Sequence, residues 1–153
     1  MKHKFKLSEV EEKLLVRYLE NAHVQSMKNY IQHGRVTTYE HCCLVVKTSL
    51  WLNRVLKFRA DVKELATGAM LHDFYLYDWH DDPMGVHKLH GFFHPAKASL
   101  NAQRVFDVSE NEKHIIESHM WPLTITKIPR SREAVIVCIA DKICALRETI
   151  HMR

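Results

Sequence analysis

Glycine and proline are scarce in this chain, four of each among 153 residues. That leaves little material for strands joined by tight turns, so an all-α fold suits the composition best. Cysteine is equally sparse, at four. Cys42 and Cys43 are neighbours that cannot easily bridge each other, and Cys138 and Cys144 lie in an apolar stretch with no Cys-x-x-Cys spacing anywhere. All four read as reduced, buried thiols of a cytosolic protein. No stretch reaches the ~18 uninterrupted apolar residues of a membrane span. The opening Met1-Lys-His-Lys-Phe-Lys6 has charge but no apolar segment behind it, so neither span nor signal peptide is expected and the cytoplasm is the expected compartment. No run of five like charges occurs, and a formal charge of +4 with a pI near 8.9 is mild. Such a surface tolerates an anionic small molecule. It lacks the basic stripe or aromatic-basic motif that nucleic-acid binding needs.

What the chain does hold in excess is histidine, 12 residues. Its length suits one domain that buries roughly two thirds of its unfolded surface, and 46% hydrophobic with 26% charged residues is ordinary for a globular core. Apolar periodicity and capping signals predict about six main helices. An amphipathic one runs from Ser8 to about His33 on Val10, Leu14, Leu15, Tyr18, Leu19 and Ala22, ending at Gly34. A second covers Thr38 to Lys57 with His41 in its first turn. Asp61-Val-Lys-Glu64 opens a third, to about Phe74, which places His72 and Asp73 at its carboxyl end. Tyr75 to Phe93 is polar, aromatic and turn-rich, a long loop of the kind that often covers a substrate. His94-Pro95 opens a helix through Val105, with proline in a tolerated first-turn position. Ser109-Glu-Asn-Glu112 is a capping box for the next, which ends near Met120 before Trp121-Pro122, and Ser131 to Ile150 forms the last.

Onto this frame fall six good metal ligands: His41, the doublet His72-Asp73, His94, His119 and Asp141. Asp141 makes the strongest single case. It sits inside Ala134-Val-Ile-Val-Cys-Ile-Ala-Asp-Lys-Ile-Cys-Ala-Leu146, where a buried, unpaired carboxylate costs several kcal/mol. Something positive has to face it. Lys142 projects about 100° away around the helix, which leaves a metal, Arg147 or another segment.

The ordered set, from Thr37-Thr-Tyr-Glu-His41 through Met70-Leu-His-Asp-Phe-Tyr75 to Ile139-Ala-Asp-Lys142, resembles the HD-domain superfamily of metal-dependent phosphohydrolases. The resemblance implies a single all-α domain over 1–153, a helical bundle whose metal-site region spans about 37–150, with residues 1–35 as a helical segment packed on it. It implies hydrolysis of a phosphate ester of a small phosphorylated molecule, with a nucleotide as the leading case, by water activated at one or two divalent ions. By likeness to two-metal relatives, His41, His72, Asp73 and Asp141 hold the first ion, and Asp73, His94 and His119 the second. The donor set favours Fe or Mn, with Zn, Co or Ni as alternatives. Asp73, His90 and Lys142 are the candidate catalytic residues, and His87 and Lys88 are further groups able to meet phosphate or move a proton. Some two-metal relatives carry a lysine shortly after the doublet, where this chain has Phe74-Tyr-Leu-Tyr-Asp78, which argues against a cyclic-dinucleotide substrate. Two other readings stand beside the hydrolase: a di-iron oxygenase of the same superfamily, and a non-catalytic, metal-containing binding or regulatory module. Oligomeric state is open.

Overall fold

A computed structural model of the chain describes residues 6–80 and 89–150. Seven α-helices lie within the described residues: α1 (Glu9–Leu19), α2 (Ala22–Ser26), α3 (Thr38–Leu56), α4 (Val62–Leu71), α5 (His90–Phe106), α6 (Glu110–Ser118) and α7 (Arg132–Ile150). Between α2 and α3 sits a two-stranded antiparallel hairpin, β1 (Ile31–His33) and β2 (Val36–Thr37). The expected all-α bundle is therefore what the chain forms, with this small hairpin added.

The N-terminal region differs most from its expected form. Ser8 and Glu11 do make a reciprocal capping box that starts α1. The helix nevertheless stops at Leu19, because the Asn21 side chain accepts from the backbone N–H groups of His23 and Val24 and starts a new helix. A β-branched residue, Ile31, then begins an extended segment, and Gly34 with φ 57° turns the hairpin rather than capping a helix. The helix expected from Ser8 to His33 is thus two short α-helices, a 3₁₀ turn over Met27–Asn29 and a strand. Tyr18 on α1 ties this region to α4 through a buried 2.7 Å hydrogen bond to Thr67.

The other starts lie close to their sequence signals. Thr37 and Glu40 form a capping box at α3, and Ser109 and Glu112 form one at α6. Asp61 caps α4 by accepting from Glu64 N–H, but Glu64 does not reciprocate. Asp61 N–H donates to Glu133 of α7 instead, and Glu64 accepts from Ser109 and Asn111 of α6. These bonds knit α4, α6 and α7 into one unit. α5 begins four residues earlier than expected, at His90, so Pro95 lies in its second turn and forfeits the bond to the Gly91 carbonyl.

The core runs between α3, α4, α6 and α7. Val45, Val46, Leu50, Leu65, Met70, Ile115, Ile116 and Val137 are fully buried, each contributing about 1.5–3 kcal/mol. Gly68 sets the closest approach, since a Cβ there would lie 2.4 Å from Ile115 Cγ2. Absence of that one atom lets α6 settle on α4, which brings the carboxyl ends of both helices to the same place.

Candidate metal centre

Five helices deliver the six predicted ligands to one point. His41 lies in the first turn of α3, His72 caps the carboxyl end of α4 with Asp73 next, His94 is in α5, His119 caps the carboxyl end of α6, and Asp141 is midway along α7. All six are buried. Each imidazole is oriented through Nδ1: His72 to the Ala69 carbonyl at 2.8 Å, His94 to the His90 carbonyl at 2.9 Å, and His119 to the Ile116 carbonyl at 2.7 Å. His41 Nδ1 meets both oxygens of Glu148, at 2.9 and 3.1 Å. Carbonyls and carboxylates only accept, so Nδ1 carries the hydrogen in every case, and in the neutral rings the four Nε2 atoms present lone pairs.

Those lone pairs point at other acceptors. His41 Nε2 is 3.0 Å from Asp141 Oδ1, and His94 Nε2 is 3.0 Å from Asp73 Oδ1 and 2.9 Å from His119 Nε2. His72 Nε2 lies 3.3 Å from Asp73 Oδ2 and 3.7 Å from Asp141 Oδ1. Among the described residues, neither His72 Nε2 nor Asp73 Oδ1 has a hydrogen-bond partner. Acceptors this close repel unless a cation lies among them, either protons or metal ions, and an imidazole–carboxylate donor set with oriented Nδ1–H groups is what divalent ions bind. His41, His72 and Asp141 form one such group, and His72, Asp73 and His119 another, each with its ligand atoms within 4.8 Å of one another. The residues present fit the ion that the sequence pattern implies.

The electrostatics agree. Burial works against charge on His41, but Asp141 and Glu148, one at each ring nitrogen, outweigh it and push the imidazole up to about 9. His72 is likewise raised well above its usual range, burial being overcome by Asp73 first. Burial would raise the Asp73 and Asp141 carboxyls, yet the surrounding imidazoles hold both well below the usual carboxylate range. His119 is lowered, mainly by burial. Without an ion the compensating charge is protons on His41 and His72, which an ion has to displace.

Sequence reasoning missed several residues of the centre. Glu148, two helical turns beyond Asp141, shares its face of α7, and that spacing was a usable signal. Gln32 on β1 donates to Asp73 Oδ2 at 2.6 Å, and its amide oxygen accepts from the hydroxyls of Tyr75 and Thr38. No periodicity pointed to it, since the segment reads as helix. The loop aromatics divide: Tyr75 is fully buried, Trp79 is half-buried against the site, and Phe92 and Phe93 are exposed. His114 is half-buried and accepts from the Arg130 backbone N–H at 3.0 Å. The four cysteines are free, with burial pushing Cys42 and Cys144 up to about 11.

A cavity of about 670 Å³ opens over the centre. Asp73, Asp141, His94 and His119 are part of its lining, and Trp79, Met120, Pro122, Leu123 and Ala145 form much of the rest. His90 stacks on His94, with ring centroids 4.5 Å apart, and Tyr77 meets its Nδ1 at 2.9 Å. Lys142 lines the cavity with its ammonium donating to the His119 carbonyl at 3.0 Å and the Cys138 carbonyl at 3.3 Å. His87 and Lys88 lie outside the described residues. No described helix is long and apolar enough to cross a membrane.

No curated protein and no solved structure matches the chain. The HD-domain family model does, over residues 38–146, a segment that takes in His41, the His72-Asp73 doublet, His94, His119 and Asp141. The chain belongs to the HD-domain family, whose superfamily is that of metal-dependent phosphohydrolases.

Proposed function

We propose that this cavity is the active site of a metal-dependent phosphohydrolase that cleaves a phosphate ester of a small phosphorylated molecule, nucleotide-sized to suit the space above the centre. The observation that carries the reading is the convergence of four Nε2 atoms and two carboxylates, with contacts near 3 Å, on a centre whose Asp73, Asp141, His94 and His119 line the cavity. His41, His72, Asp73 and Asp141 would hold one ion, and Asp73, His94 and His119 a second. Fe or Mn is favoured, and Zn, Co and Ni also suit the donors. When bound, such ions lower the pKa of water and stabilise charge on a phosphoryl group.

The chain's own residues supply the remainder. Asp73 turns one oxygen to each half of the site. His90, at the cavity wall, is the group to pass a proton to the leaving oxygen, and its contact with Tyr77 fixes the ring for that purpose. Lys142 places a positive charge beside the phosphate. Elemental analysis of the purified protein, followed by a phosphomonoester, phosphodiester and nucleotide panel with Mn²⁺ or Fe²⁺ added, tests the reading. Phosphate release dependent on the ion is expected. Metal-loaded protein that consumes O₂ and cleaves no phosphoester would instead make it an oxygenase, and inert metal-loaded protein would make it a binding module.

A further inference from the structure

Gln32 reaches the centre from β1, outside the segment that matches the HD-domain family. Its side chain is buried, and its amide has a single permitted orientation. Tyr75 OH donates to Gln32 Oε1 at 2.5 Å, and Thr38 Oγ1 lies 3.2 Å from the same oxygen. Both residues are fully buried, and their hydroxyls are 3.0 Å apart. Asp73 Oδ2 only accepts, so the amide nitrogen has to face it, at 2.6 Å, and Oε1 is left to accept from the hydroxyls. A flipped amide would set its oxygen against the carboxylate.

This single N–H determines how Asp73 is turned. Oδ2, held by Gln32, is left facing His72 at 3.3 Å and His41 at 3.8 Å. Oδ1 has no hydrogen-bond partner among the described residues and faces His94 at 3.0 Å and His119 at 3.5 Å. Rotation of the carboxylate would take both oxygens off these directions at once.

We infer that Gln32 is a positioning residue for Asp73. Tyr75 and Thr38 anchor its amide in place, so that one carboxylate oxygen serves the His41–His72 half of the site and the other the His94–His119 half. The inference rests on the metal-centre reading proposed above. Gln32 acts through Asp73 and not by ligating an ion, and Tyr75 acts through Gln32, which makes the two effects non-additive.

Mn²⁺ titration of the full chain, with the free ion followed by electron paramagnetic resonance, tests this without reference to activity. Wild type, Gln32→Met, Tyr75→Phe and the double variant are compared, and thermal unfolding of each metal-stripped protein checks folding. Gln32→Met keeps length and burial but cannot donate. It is expected to weaken Mn²⁺ binding by about 10- to 100-fold, the usual loss when the partner of a metal ligand is removed. Tyr75→Phe should lose less, and the double variant should match Gln32→Met to within about two-fold. Wild-type affinity in Gln32→Met, or losses that multiply in the double variant, overturns the inference while leaving the metal centre standing. Should Gln32→Met fail to fold, Tyr75→Phe alone decides: unchanged Mn²⁺ affinity overturns the inference and weakened affinity supports it. A wild-type protein that binds none of Mn²⁺, Fe²⁺, Zn²⁺, Co²⁺ and Ni²⁺ overturns the metal-centre reading itself, and this inference with it; should it bind another of these ions but not Mn²⁺, the same comparison of variants is read with that ion by chelator competition.

Discussion

Stripped of metal, the protein is predicted to lose stability as pH rises from about 6.5 to about 9, and Asp141→Asn is predicted to flatten that loss. His41 lies between two carboxylates, Asp141 at Nε2 and Glu148 at Nδ1, and its pKa is pushed up from an ordinary 6.5 to about 9. A group whose folded pKa is raised contributes its stabilisation fully below the unfolded pKa and loses it as pH climbs through the folded one. The difference is worth roughly 3 kcal/mol, and because the ring is fully buried no discount for solvent screening applies. His72, also raised, acts in the same direction. For a chain of this size a loss of ~3 kcal/mol lowers the melting temperature by about 6–12 °C.

The window isolates these histidines. His33, His114 and His119 are lowered, so their effect falls below pH 6.5, and the buried thiols Cys42 and Cys144, raised to about 11, begin to matter only above about pH 9. Thermal unfolding of chelator-treated protein followed by circular dichroism, at half-unit steps from pH 6.5 to 9, measures the slope. Saturating metal should remove it, since bound ions displace the same protons, and apparent metal affinity should rise over the same range. A melting temperature that stays level across the window in metal-free wild type would refute the view that His41 is held charged between the two carboxylates.

Asp73→Ala should remove most bound metal and all phosphoester hydrolysis, and His119→Ala one ion's worth where two are bound; elemental analysis and a phosphate-release assay read both. Glu148→Gln, which keeps a hydrogen-bond acceptor for His41 Nδ1 but removes its charge, should weaken metal binding by about ten-fold or more in a chelator competition. Gly68→Ala places a methyl 2.4 Å from Ile115 Cγ2 and should cost about 1–3 kcal/mol in urea unfolding, with metal content per folded molecule unchanged.

Much of this protein was readable along the chain because the signals were local. The capping pairs Ser8–Glu11 and Ser109–Glu112 mark where helices start, since each closes a hydrogen-bond circuit within four residues. The apolar run around Asp141 announced a buried carboxylate that needed a cation, and the ordered His and Asp residues announced the family. Other features turn on specific side-chain contacts and backbone turns that the apolar pattern does not display. The first helix failed to continue because the Asn21 side chain and a hairpin at Gly34 outcompeted a pattern that stayed amphipathic on paper. α5 starts at His90 with no side-chain cap at Leu89, and there His90 stacks on His94 and Trp79, a start that no helix-start rule encodes.

By itself the sequence determined the helical class, most helix starts and the six candidate ligands, because caps, periodicity and the cost of burying charge act residue by residue. Tertiary structure alone decided how those ligands are aimed. Gly68 lets α4 and α6 close up, Glu148 and three backbone carbonyls turn the imidazoles, and Gln32 of a short hairpin turns Asp73. Each of those hydrogen bonds fixes a rotation whose partner is chosen by packing, and spacing along a chain carries no information about rotation.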